Sequence, residues 1–261
     1  MVTQLGFKHD FLFHAILSVT SVHIARLHPS PVHLTTAMHH YGTAIRLVMP
    51  QLMAVNQDNA NALCVFSRIL PLYSRGLSTV VPSVDPITRS CEDFKLIRGL
   101  AALGGQTSRW IDPLLKNDFL LPQVSDNDVL PEDMESAVSM LSIINHQTSR
   151  GVELQESIDE AIALLRYSLH LLQIMPNEVI ISAPFPMMVP QRFLHALETR
   201  EPLALVVLSH YAVITHSFRG KLWMEGWGRQ VIEAVARVLA AEWQDCIKWP
   251  LTQISQAVDR G

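Results

Sequence analysis

Apolar positions recur along this chain at intervals of three and four residues, the period of a helix rather than of a strand. From Asp10 to Leu27, DFLFHAILSVTSVHIARL sets Leu12, Ile16, Val19 and Ile24 in one apolar stripe. A second stripe, of small or polar groups, runs through His14, Ser18, Ser21 and Ala25. LTTAMHHYGTAIRLVMPQLMAV repeats the period through Tyr41, Ile45, Val48 and Leu52, and Pro50 is expected to kink or end that helix. Asn59 reads as the cap of NANALCVFSRILPLYSRGL, with Leu63, Phe66, Ile69, Leu70 and Tyr73 inward. DFKLIRGLAALGG predicts a helix that stops at Gly104-Gly105. SAVSMLSIINHQTS is another, and SIDEAIALLRYSLHLLQIM opens with Ser157 and Glu160 in capping-box spacing.

Between these segments the period fails. Prolines and turn residues predict loops near 79–92 and 112–135, and EVIISAPFPMMVP reads as an extended, proline-rich crossing within a loop near 176–190. PLALVVLSHYAVIT is apolar on every side, yet it falls short of the roughly 20 apolar residues of a membrane span. It is therefore expected to be a buried core helix. No alternating run is long enough for a sheet. The pattern predicts an all-α protein, a single helical domain over 1–261 with roughly 8–10 helices.

Composition narrows the function classes. Of 261 residues, 49% are hydrophobic and 17% charged, too apolar for extensive disorder. The formal net charge of −4 and the scattered lysines and arginines argue against direct nucleic-acid binding. Cys64, Cys91 and Cys246 form no metal or redox spacing and read as buried thiols. The start, interrupted by Lys8, His9 and Asp10, does not read as a secretory leader. GxSxG, HExxH, a phosphate-cradling glycine loop and paired CxxC motifs are all absent. Adjacent His39-His40, and His210 with His216 six residues on, are poorly placed for a shared metal, so none is expected. Asp126, Asp128, Glu132 and Asp133 read as a solvated acidic loop.

Four of the five tryptophans fall in KLWMEGWGRQVIEAVARVLAAEWQDCIKWP. Steps of four connect Trp223, Trp227, Val231 and Val235, which predicts one continuous helical face. Glycine flanks Trp227 on both sides at a cost of roughly 1 kcal/mol each in a helix. Either this face is core, with the glycines permitting close helix contact, or the indoles wall a cavity that a backbone or ligand approaches. Each buried indole N–H needs an acceptor.

Several blocks taken together resemble one family. HDFLFHAILSVTSVHIARL, HYGTAIRLVMPQL, ALCVFSRIL, DFKLIRGLAAL, EPLALVVLSHYAVITH and the WMEGWGRQVI…IKWP run occur in the order found in the regulatory domain of fungal Zn2Cys6 regulators, closest to the sterol uptake control branch. The resemblance implies a helical domain around a deep apolar cavity whose ligand sets the regulator's activity. The six-cysteine zinc cluster and basic linker of such regulators do not occur in this sequence. The expectation is therefore a stand-alone binder of an apolar, terpenoid- or sterol-like molecule.

Two functions follow from such a cavity. A cofactor-free cyclase or isomerase, for instance an intramolecular Diels–Alder catalyst, needs orientation and one hydrogen-bond donor rather than a nucleophile or metal. The alternative is a ligand-sensing effector domain. The missing zinc cluster and basic linker lean the expectation toward the enzyme, with His210, Tyr211, Trp223 and Trp227 as donor candidates. Ligand-binding candidates are His14, Ser18, Phe66, Tyr73, Met188, His216, Met224 and Val231. Met187-Met188, between prolines, reads equally as an adaptable lid or as loop packing. No cofactor is expected, a homodimer is left open, and the location is cytoplasmic, or nuclear for the regulator.

Overall fold

A computed structural model describes residues 2–81, 85–107, 109–113, 121–122, 124, 129–148 and 151–256. Among the described residues there is no strand, and the fold is all-α, as the periodicity predicts. The α-helices are α1 Val2–Lys8, α2 Asp10–Leu27, α3 Pro31–Met53, α4 Ala60–Val80 and α5 Pro86–Thr107. They continue with α6 Glu132–Gln147, α7 Val152–Ile174, α8 Pro184–Met188, α9 Gln191–Glu198, α10 Pro202–His216, α11 Trp227–Val238 and α12 Lys248–Gln256. Short 3₁₀ turns cover Val179–Ser182, Leu222–Met224 and Ala241–Ile247. No helix among the described residues is long and apolar enough to cross a membrane.

Backbone contacts gather the chain into two compact units. One holds residues 1–83 and 96–120, the other 84–95 and 121–261, so α5 passes from one to the other at Lys95.

In the first unit α2 lies along α3 and α4. The buried face of α2 is Phe11, Leu12, Ala15, Ser18, Val22 and Ala25, at helical spacing. The predicted stripe is displaced around the helix: Ile24 is exposed, whereas Ser18 and Ala25 are buried. Small side chains win because they let α2 approach α3, which in turn buries Ala37 and Ala44. On α4, Leu63, Phe66, Leu70 and Tyr73 are buried as predicted.

The second unit is built around α10. Every residue from Leu203 to His216 is buried, as expected of a helix that is apolar all round. It packs against α6, α7, α9, α11 and α12. α7 presents Ile158, Ala161, Ile162, Leu165 and Leu169 to the core, and α11 presents Val231, Ile232, Ala234 and Val235. Pro202 opens α10, and the Glu201 carboxylate accepts the Ala204 N–H at 2.6 Å, giving that helix a firm start.

Several boundaries depart from the predicted ones. α3 continues through Pro50 to Met53, since a proline near a helix end forfeits only one backbone bond. Asn59 does not cap α4 with its side chain: its Oδ1 accepts from the Asn56 N–H and its amide donates to the Ala54 carbonyl, closing the preceding turn instead. α5 begins at Pro86, inside the predicted loop, and runs past both glycines to Thr107. α7 starts at Val152, so Ser157 is interior and not a cap. The predicted extended crossing folds into a 3₁₀ turn and α8, with Pro184 at the first helical position, where its missing N–H costs nothing. Asp126 and Asp128 of the acidic loop lie outside the described residues.

Candidate functional site

The tryptophan run resolves into two pieces. Trp223 belongs to the 3₁₀ turn Leu222–Met224, and α11 begins only at Trp227. Gly226 lies between them at φ +73°, the left-handed region that glycine enters without strain. The predicted continuous face therefore starts at Trp227, with Val231 and Val235 buried behind it. Gly228 has another reason: a β-carbon there would stand 2.5 Å from the Ala212 carbonyl oxygen and 2.8 Å from the His216 N and Cβ. Backbone contact between α10 and α11 excludes any side chain at that position.

Around Tyr211 the aromatic rings form one nest. Tyr211 stacks on Phe185 at 4.5 Å and meets Phe94 and Trp227 edge-on at 5.5 and 6.4 Å. Its hydroxyl donates to the Ser182 carbonyl oxygen at 2.7 Å. Trp227, Met224 and Val231 are buried in the same core cluster.

His210 is fully buried, stacked on Trp249 at 5.4 Å. Its Nδ1 lies 2.8 Å from the Val206 carbonyl oxygen, which can only accept, so Nδ1 carries the proton. Burial pulls its pKa down to about 4, so at neutral pH the ring is uncharged and Nε2 is an acceptor with no partner among the described residues. Its free nitrogen thus offers a lone pair rather than an N–H. His216 is buried with neither ring nitrogen bonded among the described residues, and burial, reinforced by Arg219 and Arg229, lowers its pKa to about 4. Six residues apart, the two histidines project about 120° apart around α10. Trp223 is half-buried, and its Nε1–H is a buried donor with no acceptor among the described residues.

Met188 ends α8 and is largely exposed. The remaining candidates lie in the first unit. His14 Nδ1 shares a hydrogen bond with His40 Nδ1 at 2.8 Å, and the buried Ser18 hydroxyl closes onto the Ala15 carbonyl at 2.7 Å. Phe66 meets Phe11 edge-on at 5.5 Å. Tyr73 stacks on Tyr41 at 4.1 Å, and burial, with Tyr41 beside it, pushes its pKa up to about 12. The structure therefore distributes the sequence-predicted residues over two units. Trp249, Phe185 and Phe94 were not foreseen. Trp249 alone left a trace in the sequence, as part of the tryptophan-rich run.

Among the described residues no group of three or more His, Cys, Asp or Glu side chains could hold a metal ion. No family model matches the chain, and no solved structure matches it. The chain is similar to Sterol uptake control protein 2 of Candida albicans, at 22% identity over 266 aligned positions. That alignment takes in 91% of this chain but only 35% of the relative, so the chain spans about a third of the relative's length. The likeness is distant, and it falls in the branch of regulators that the sequence blocks resemble.

Proposed function

We propose that this chain is a ligand-sensing effector domain of the fungal regulator type, and that its ligand is an apolar, sterol- or terpenoid-like molecule bearing an oxygen function. The observation that carries this reading is the similarity to a sterol uptake control protein along 91% of the chain. That similarity favours regulation over the cyclisation expected from the sequence. The buried polar atoms of the second unit fit the ligand class: an apolar pocket orients its occupant with a few polar groups. Trp223 Nε1 supplies a donor, His210 Nε2 an acceptor and His216 either. In this reading the domain works in the nucleus, as part of or beside a protein that holds DNA. A homodimer belongs to the same proposal.

The test incubates the purified chain with a panel of sterols and terpenoids, reads complexes by native mass spectrometry, and then analyses the extracted ligand. A saturable complex, with the ligand recovered unchanged, is the expected result. At a free ligand concentration of 100 Kd it raises stability by about 2.7 kcal/mol. Recovery of an isomer with altered retention time overturns the effector reading in favour of the cyclase. Absence of any complex across the panel overturns both.

A further inference from the structure

α2 and α3 pack together through small buried side chains, Ala15 and Ser18 on the first helix and Ala37 and Ala44 on the second. That close approach carries His14 of α2 onto His40 of α3. Their Nδ1 atoms stand 2.8 Å apart and their ring centroids 5.0 Å apart. Along α3 alone, adjacent His39 and His40 are poorly placed to share an ion; the fold instead pairs His40 with a ring on the neighbouring helix. Both paired residues are only half-buried, so neither is sealed from solvent. They belong to the first unit, whereas the polar atoms assigned to the apolar ligand lie in the second. The pair is therefore independent of that reading.

Elsewhere in the chain exposed histidines turn a ring nitrogen to a carboxylate, His146 to Asp159 at 3.6 Å and His195 to Glu198 at 3.7 Å. His14 and His40 turn to each other. A neutral imidazole has one donor and one acceptor nitrogen, so a bond between two Nδ1 atoms makes one ring the donor and the other the acceptor. With both protons on Nε2 instead, the two Nδ1 atoms offer a pair of lone pairs in one place, which is a metal-ligand set.

We propose that His14 and His40 form a two-histidine site for a divalent metal ion of tetragonal preference, copper(II) or nickel(II), with water in the remaining positions. The separation selects this class. Two nitrogens about 2.0 Å from one ion and at right angles around it stand about 2.8 Å apart, the spacing between the two rings. The wider tetrahedral angle of zinc would set them about 3.3 Å apart. Imidazole nitrogen is a good ligand for copper and nickel, whereas magnesium and calcium take oxygen. Each ligand comes from a helix interior, α2 and α3 being 18 and 23 residues long, so the two rings are held by rigid elements. An ion bound there bridges the two helices.

The experiment titrates the full chain with copper(II) chloride by isothermal calorimetry, with magnesium chloride as the control, and records the electron paramagnetic resonance spectrum at one equivalent. Saturable binding of one copper per chain is expected, with hyperfine coupling to two imidazole nitrogens. His14→Phe and His40→Phe each keep a ring at the helix contact and remove a ligand, and each lowers the affinity by about tenfold or more. His39→Gln, on the exposed neighbour, leaves it unchanged. Far-UV circular dichroism checks that the variants keep the helices. Unchanged affinity in both phenylalanine variants overturns the proposal, as does an equal loss in His39→Gln, which would mark diffuse binding to surface histidines. Equal binding of magnesium, or a parent spectrum with a single coupled nitrogen, overturns it as well.

Discussion

Gly228 faces the carbonyl oxygen of Ala212 so closely that a β-carbon would lie 2.5 Å from it. Neither that oxygen nor the His216 backbone N can swing aside, because both belong to α10, the helix buried throughout the second unit. Gly228→Ala is therefore expected to force α11 away from α10, an overpacking cost of about 1–3 kcal/mol. The thermal midpoint should fall by roughly 5 °C. Gly220→Ala is the control: nothing lies within 4 Å of the added methyl, and its midpoint should hold. Equal midpoints for the two variants would show that the helices do not touch at Gly228.

Gly226 and Gly228 mark where sequence reading reached its limit. A step of four between Trp223 and Trp227 looks like a helix, but spacing carries no sign of φ, and Gly226 turns the chain at +73°. α10 was legible because its apolar residues leave no exposed side to choose, and burial then follows from composition. The inward set on α4 was legible because Leu63, Phe66, Leu70 and Tyr73 recur at steps of three and four. On α2 the stripe was displaced because close helix approach rewards small volume, which an apolar period does not register. The nest of Phe94, Phe185 and Tyr211 joins residues far apart in sequence, and nothing local announces such a contact. Ser157 was read as a cap from its spacing to Glu160, when the helix had already begun at Val152.

Tyr211 offers a clean separation of structural and ligand roles. Its hydroxyl proton goes to the Ser182 carbonyl oxygen, and its ring is fixed by Phe185, Phe94 and Trp227. Tyr211→Phe keeps the ring packing and leaves that buried carbonyl short of a partner, at a cost of about 1–2 kcal/mol. Urea unfolding should register that loss, while the affinity for a bound sterol or terpenoid stays within about twofold. A large loss of affinity with unchanged stability would instead assign the hydroxyl to the ligand.

His210 gives the fold a pH dependence of defined sign. In the unfolded chain its imidazole titrates near the ordinary value of 6.5, and in the folded protein burial lowers this to about 4. Between those values the unfolded state binds the extra proton, so stability falls as pH drops from 6.5 toward 4 and levels off below. The full contribution is present above pH 6.5 and is on the order of 3 kcal/mol. His216, lowered for the same reason, acts in the same window and direction. His210→Phe preserves a ring against Trp249 and removes the titration, so the slope of urea midpoint against pH should flatten. A slope unchanged in that variant would place the acid sensitivity elsewhere.

Trp223 distinguishes the empty protein from the occupied one. Its indole N–H is buried without an acceptor among the described residues, and a buried donor left unpaired costs about 1–3 kcal/mol. Trp223→Phe removes that donor, so the lost packing of a half-buried ring is offset and the unliganded midpoint should change little. When a ligand oxygen accepts the N–H, the balance reverses: the variant loses a hydrogen bond, and affinity drops by about tenfold. The two effects are read in one set of thermal melts, with and without saturating ligand. A midpoint shift on ligand addition that is as large in Trp223→Phe as in the parent would remove this indole from the binding site. Because the N–H is a donor at every pH, the ligand-dependent difference should also persist from pH 5 to 8, a range chosen to span the imidazole titration. A difference that vanished at the acid end would point to His210 or His216 as the group that meets the ligand.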